Sequence, residues 1–222
     1  MSKLTNTYRQ GVSGVTFLDA ELRDTSDGVG ASATSCRLGS VVGGSPVDRR
    51  VIMQVDISDI PKSALISSAT LTVIPHVFYG SGSVDVYASI GDEAQWAAAV
   101  SSSIPTWAYV TTDVGWATVG GSKQNTTMFA ATMPASGSTL DLDITRIASL
   151  AKRYHDGTLN FVLYSVPEGT VGKSFKFYSG NNSTESNRPI LSITYIEGSG
   201  SGFGGKSKLS PVTQQKRFNK RK

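Results

Sequence analysis

The sequence predicts an all-β protein: a jelly-roll-like antiparallel β-sandwich with one or two short helices and an extended basic C-terminal arm. Charged residues make up only 17% of the 222 residues, and 23 residues are glycine, a composition typical of short strands joined by turns. Apolar and polar residues alternate with a period of two in several segments, as in half-buried strands. No apolar run reaches the ~18 residues of a membrane span. We therefore expect one β domain, residues 1–197, followed by an arm, residues 198–222.

Nine segments have strand character, and two of them show the alternation most clearly. In residues 49–57, Val51, Met53 and Val55 alternate with mostly polar neighbours. In residues 139–144, leucine alternates with aspartate in the same way. The other predicted strands are 15–22, 37–42, 68–75, 83–90, 159–165, 173–178 and 189–196. Because regular helices do not separate these segments, they predict a sandwich and not a parallel βαβ sheet.

One segment has helical periodicity. Thr145 is a candidate N-cap and Gly157 a candidate C-terminal stop. Between them, apolar residues recur at positions i, i+3, i+4 and i+7: Ile147, Leu150, Ala151 and Tyr154. A second short helical turn is expected within residues 92–100. Both elements are suited to closing the sandwich.

The charge is unevenly distributed along the chain. The formal net charge is +4, but residues 198–222 contain seven basic residues and no acid, whereas residues 1–197 carry a net charge of −3. The predicted anchoring residues of this arm are Lys206, Lys208, Lys216, Arg217, Phe218, Lys220, Arg221 and Lys222. A flexible arm of this length reaches ~25–30 Å. It is either a solvated tail or an anchor that docks on an acidic surface, and nucleic acid is an expected partner only for the arm.

The cysteine content and the N-terminus bear on redox chemistry and synthesis. The single Cys36 can form neither an internal disulfide nor a cysteine-based zinc site. The opening residues, MSKLTNTYRQ, lack the apolar stretch of a secretory signal. We therefore expect synthesis in a reducing host cytoplasm.

Catalysis has little support in the sequence, and we predict neither an enzyme nor a cofactor. Asp141 and Asp143 lie on one face of a strand. Glycosidases use a pair of carboxylates, but this spacing is also the default on the solvent-facing side of a half-buried strand. Asp24 and Asp27 are weak calcium candidates, for which a polar turn is the simpler interpretation. No metal site is predicted.

Aromatic residues suggest an alternative function. Trp107, Tyr109 and Trp116 form the best candidate platform for stacking on sugar rings, although core or interface positions are the simpler interpretation. Tyr79 and Tyr178 are further candidates on weaker grounds.

The order of several segments resembles the DNRLRE-type domain, a jelly-roll-like β-sandwich related to certain carbohydrate-binding modules. The segments are RRVIMQVDISDIP, ALISSATLTV, LDLDIT, NFVLYS and FYSGNNSTESNRPILSITY, which together with Asp19-Ala20 span residues 19–196. The resemblance implies the sandwich fold. It also implies a structural role for Arg188 before Pro189, in which the arginine bridges loop carbonyls or a carboxylate.

A small sandwich with a charged arm is organised like the decoration, cement and tail proteins of bacteriophages. We therefore predict a structural virion protein, a capsid decoration or head-tail component located in the virion. Its expected partners are other virion proteins, either major capsid or tail proteins, and further copies of itself. The alternative is a carbohydrate-binding module that recognises a polysaccharide through the three aromatic residues named above.

Overall fold

The computed structural model describes residues 2–12, 14–23, 33–41, 47–80, 84–91, 109–111, 114–115, 128–133, 139–154, 157–165 and 172–197. The first seven strands are β1 (Lys3–Arg9), β2 (Phe17–Arg23), β3 (Ser35–Val41), β4 (Val47–Asp56), β5 (Leu65–Val73), β6 (Pro75–Tyr79) and β7 (Val84–Ile90). They are followed by β8 (Tyr109–Thr111), β9 (Val114–Gly115), β10 (Met128–Met133), β11 (Leu140–Asp143), β12 (Thr158–Ser165), β13 (Ser174–Tyr178) and β14 (Ile190–Ile196). Helix α1 (Thr145–Tyr154) lies between β11 and β12, and a 3-10 helix, Glu185–Asn187, precedes β14.

Two antiparallel sheets form the sandwich. The smaller sheet has the order β1–β14–β5–β11, and the larger one has the order β10–β7–β12–β4–β3–β13–β6, with β2 also paired to β4. Strands β8 and β9 pair separately as a short hairpin. This architecture confirms the predicted all-β, jelly-roll-like sandwich. The helical turn expected in 92–100 and the arm from 198 onward lie outside the described residues.

The main core takes alternate residues from both sheets. Strand β4 contributes Val51, Met53 and Val55, and the facing sheet contributes residues such as Leu71 and Ile193. At ~25 cal/mol per Å² of apolar surface removed from water, such fully buried side chains dominate the stability of the sandwich. The core therefore lies where the period-two alternation of the sequence predicts it.

The opposite face of β4 is also covered. Ile52 is completely buried in a second, smaller cluster with Ala20, Leu22, Val162 and Tyr164. The prediction that β4 is half-buried was therefore wrong for the centre of the strand. The reason is that β4 is an interior strand, paired along one edge to β2 and along the other to β12 and β3, and side chains of β2 and β12 cover Ile52.

Strands β1, β6 and β10 were not predicted because they lack a clear apolar alternation. In β1 only Tyr8 is buried, and the strand is held at the edge of its sheet by β14. Strand β6 begins with Pro75, a residue that edge strands tolerate at their first position. These strands depend on tertiary pairing more than on their own composition.

Helix α1 packs on β5 and β12 with Ile147, Ala148 and Ala151 buried. Thr145 was predicted to be the N-cap of this helix, but it is the first helical residue. Asp143 Oδ1 accepts the N–H of Thr145, and the hydroxyl of Thr145 accepts the N–H of Ala69 in β5. The hydroxyl thus joins the helix to the sheet. No helix in the described part of the chain is long and apolar enough to cross a membrane.

Candidate anion-binding pocket

The sites predicted from sequence fall almost entirely outside the described residues. Trp107, Trp116, Asp24, Asp27 and the whole arm from Lys206 to Lys222 lie there. Only the backbone of Tyr109 is described, in β8, where it pairs with Gly115. The carbohydrate, calcium and anchoring assignments therefore stay predictions.

A charged pocket lies where the ends of β2 and β4 meet β3 and β13. Its volume is about 280 Å³. The residues that line it are Glu21, Arg23, Ala33, Thr34, Ser35, Arg37, Arg49 and Lys176. Strand pairing brings these residues together from distant parts of the chain, since Arg23 is opposite Arg49 and Arg37 is opposite Lys176.

Glu21 is the anionic centre of this pocket, and its side chain is only 4% exposed. Its Oε1 accepts a hydrogen bond from Nε of Arg23 at 3.1 Å and another from Nη1 of Arg49. Its Oε2 accepts the backbone N–H of Arg37 at 2.7 Å. A buried carboxylate is tolerated when its oxygens are hydrogen-bonded and its charge is balanced. Both conditions are met at Glu21.

The pocket nevertheless carries an excess of positive charge. Of the described side chains that line it, four are cationic and one is a carboxylate. Arg37 is 9% exposed, and its guanidinium carbon lies 3.9 Å from the centre of the Tyr79 ring. Burial lowers the pKa of Arg49, while the neighbouring Glu21 charge opposes that shift. Guanidinium groups held in this way are the groups that recognise oxyanions in proteins.

Two buried donors on residues that line the pocket have no hydrogen-bond partner among the described residues. They are Nε of Arg37 and Nε of Arg49. A buried N–H without a partner is costly, because it has lost its hydrogen bond to water. The pocket thus combines surplus positive charge with unused donors.

The aromatic rings beside the pocket already contact protein groups. Arg37 covers one face of Tyr79. The ring of His76 stacks on Tyr178 with a centroid distance of 4.2 Å and an interplanar angle of 14°. Each tyrosine thus has one face occupied, which favours a structural role for these weaker sugar-binding candidates.

Asp19 forms a second buried polar site on β2. Its Oδ2 accepts the N–H of Gly180 at 2.8 Å, and its Oδ1 has no partner among the described residues. Burial raises the pKa of Asp19 to about 6, against a smaller lowering by the Gly180 hydrogen bond. Burial, together with the charges of Asp19 and Glu21, also raises the pKa of Cys36. A buried thiol of this kind is a poor nucleophile.

The other polar residues singled out in the sequence have structural partners. Asp141 accepts a hydrogen bond from the hydroxyl of Thr72, and Asp143 accepts the first N–H of α1. Arg188 donates to the backbone carbonyls of Asn182 and Gln10, which confirms the predicted bridging of loop carbonyls. Within the described ranges, no group of three or more His, Cys, Asp or Glu residues could hold a metal ion.

A second pocket, of about 390 Å³, lies between the start of β5 and helix α1. Lys62, Lys152 and Arg153 line it together with Leu65, whose exposed fraction is 68%. The Nζ of Lys152 donates to the carbonyl of Ile60, so this lysine has a structural role. The surface is basic: Lys62 and Arg153 are exposed, whereas Lys152 is buried.

No protein-family model matches the chain, and no curated protein is significantly similar to it.

Sequence reasoning missed the pocket because its residues are isolated cations on four strands. One signal was present. In β2, Asp19 and Glu21 occupy the same face as the buried Phe17, and acidic residues on the core face of a strand need partners.

Proposed function

We propose that the protein is a non-enzymatic structural protein of a virion, such as a decoration, cement or tail component. Its sandwich supplies the assembly surface, and its basic arm anchors it to neighbouring subunits. The observation that carries this proposal is that the positive charge of the chain is concentrated after the last strand of the sandwich. The last strand of the sandwich ends at Ile196, and the seven cations of residues 198–222 follow it without a single acid.

The sandwich offers acidic groups to such an arm. Asp141 and Asp143 project from the outer face of the smaller sheet, and Asp85, Glu185 and Glu197 are exposed elsewhere. Residues 1–197 carry a net charge of −3 and the arm a charge of +7, so attraction between the arm of one copy and the sandwich of another is favourable and sensitive to salt. The expected partners are further copies of the chain and other virion proteins with acidic surfaces.

The carboxyl and thiol groups that a hydrolase would use have structural surroundings. Asp141 and Asp143 hold a cross-strand threonine and the start of α1. Cys36 is buried. These contacts support a binding protein over a hydrolase.

A labelled peptide of residues 198–222 tests the anchor. It is titrated into a full-length variant whose own seven arm cations are replaced by glutamine. We expect saturable binding at low salt, followed by fluorescence anisotropy, and its loss at high salt. The matched control is a peptide of the same length with glutamine at those seven positions. Equal binding of both peptides, or none of either, would contradict anchoring between copies.

Carbohydrate recognition is the second candidate function, because Tyr109, one of the predicted platform residues, lies in the short β8–β9 hairpin. Tyr109 pairs with Gly115, the residue before Trp116. Replacement of Trp107 and Trp116 by alanine would abolish binding to a polysaccharide panel if this function is correct. Arm neutralisation would leave such binding unchanged.

A further inference from the structure

We propose that the pocket around Glu21 binds a small oxyanion, a carboxylate, sulfate or phosphate group of a ligand supplied from outside the chain. The groups that bind it are the guanidinium groups of Arg37 and Arg49, assisted by Lys176. The described residues of this site belong neither to the arm nor to the aromatic hairpin.

Charge is the first argument. Among the described residues that line the pocket, four side chains are cationic and Glu21 is anionic, which leaves three positive charges in excess. Arg37 is buried, and the side chain of Arg49 is 12% exposed. Charges in such partly desolvated surroundings interact with an anion more strongly than exposed ones do.

Unused donors are the second, independent argument. The Nε–H groups of Arg37 and Arg49 are buried without a partner in the described part of the protein, and Arg37 is itself nine-tenths buried. A guanidinium can present two parallel N–H donors to an oxyanion, so a ligand that reaches these groups through a small adjustment of the side chains would supply the missing acceptors.

Both arginines are already held in place. Arg37 lies on the Tyr79 ring, and Arg49 is fixed by Glu21. Binding would therefore require little further ordering of these side chains. The volume of about 280 Å³ is just below the ~300–1,000 Å³ of typical ligand pockets. It fits an anionic group with a small attached body rather than a polymer strand.

The experiment titrates the full-length protein with sodium sulfate, phosphate and acetate by isothermal calorimetry, at an ionic strength kept constant with chloride. We expect saturable binding of at least one oxyanion. The comparison of acetate with sulfate and phosphate distinguishes a planar carboxylate from a tetrahedral group as the preferred ligand.

Arg37→Gln is expected to weaken this binding by about tenfold or more, since it removes a charge-assisted hydrogen bond. Lys176→Gln, which alters neither the Glu21 hydrogen bonds nor the Tyr79 stack, is expected to weaken it several-fold and serves if Arg37→Gln does not fold. Arg153→Gln is the matched control, because it removes the same charge from an exposed position beside the other pocket. Absence of saturable binding, or equal affinity in the wild type, Arg37→Gln and Lys176→Gln, would overturn the proposal.

A carboxylate of the chain itself is the rival occupant, since Asp24 follows Arg23 directly and Asp27 is three residues further on. The double variant Asp24→Asn, Asp27→Asn separates the two cases. Unchanged oxyanion affinity supports the proposal. Binding that is detected only in the double variant would show that the chain neutralises its own pocket and would overturn it.

Discussion

Asp19 and Glu21 are two buried carboxyl groups on the same face of β2, yet their surroundings differ completely. Glu21 is held by two arginine side chains and a backbone N–H. Asp19 has one backbone N–H, from Gly180, and an oxygen without a partner among the described residues. The same strand therefore contains one carboxylate whose charge is balanced and one whose charged form is disfavoured by burial.

The difference gives the two carboxyl groups different chemical properties. Around Glu21 the cations outnumber the acid, so that site is suited to an anion. Around Asp19 the raised pKa of about 6 makes the carboxyl a group whose charge changes under mildly acidic conditions. Two residues that are close in sequence thus have different electrostatic roles, because Glu21 is stabilised as a carboxylate whereas burial disfavours the charged form of Asp19.

The largest effect is expected from Glu21→Gln, which breaks the balanced site. Loss of the carboxylate leaves the buried Arg49 without its counter-charge, and breaking a buried pair in this way costs about 3–5 kcal/mol. The free energy of unfolding in urea at neutral pH measures the loss. Glu185→Gln is the control, because Glu185 is exposed and lies 3.8 Å from Arg9, a surface pair worth about 1 kcal/mol or less. Equal losses in the two variants would contradict the role assigned to Glu21.

Asp19→Asn is expected to change the pH dependence of stability. Burial raises the pKa of Asp19 from 3.8 to about 6 in the folded protein. Between these values the folded protein keeps a proton that the unfolded chain has lost, so the free energy of unfolding falls as the pH rises and reaches its low plateau above pH 6. The stability of the variant relative to the wild type should therefore rise by up to about 3 kcal/mol across this window.

Urea unfolding of both proteins at a series of pH values between 4 and 7 gives this difference directly. Other titrating groups cancel in the comparison. A difference that does not vary with pH would show that Asp19 has an ordinary pKa.

Tyr79→Leu is expected to have a smaller effect on the arginine site. It removes the ring under Arg37 while keeping apolar bulk, and a stacked cation of this kind contributes about 1 kcal/mol. Tyr79→Phe retains the ring and should leave the free energy of unfolding nearly unchanged. Similar losses in both variants would point to the hydroxyl rather than to the stack.

The smallest effect is expected at Cys36. The negative charge of Asp19 contributes to its raised pKa, so Asp19→Asn should accelerate modification of the folded protein by a thiol reagent at pH 8 by a few-fold. The two unfolded proteins, which serve as the control, should react at equal rates. A slower reaction in the folded variant would contradict the electrostatic coupling.

The sequence predicts the sandwich well because its central strands carry their burial pattern in their own residues. The Leu-Asp repeat before α1 is buried and exposed in the predicted alternation. In β4, Val51, Met53 and Val55 are buried as predicted, although Ile52 is buried as well. Strands β1 and β6 were not predicted, because an edge strand forms through pairing with its neighbour and needs no apolar alternation of its own.

The pocket could not be predicted in the same way. Arg37 and Lys176 are brought together by the pairing of β3 with β13, across more than a hundred residues of chain. Arg49 and Lys152, two basic residues of the sandwich, lie in different pockets. Register between distant strands is the missing information, because local patterns do not specify which strands become neighbours.

The proposal that residues 198–222 carry the association is tested most directly by the molar mass of the protein in solution. Light scattering would compare the full-length chain with a variant of equal length whose seven arm cations are glutamine, at low and at high salt. We predict an assembly for the wild type at low salt, dissociation at high salt, and no assembly for the variant. The same mass for both proteins at low salt would contradict anchoring by the arm.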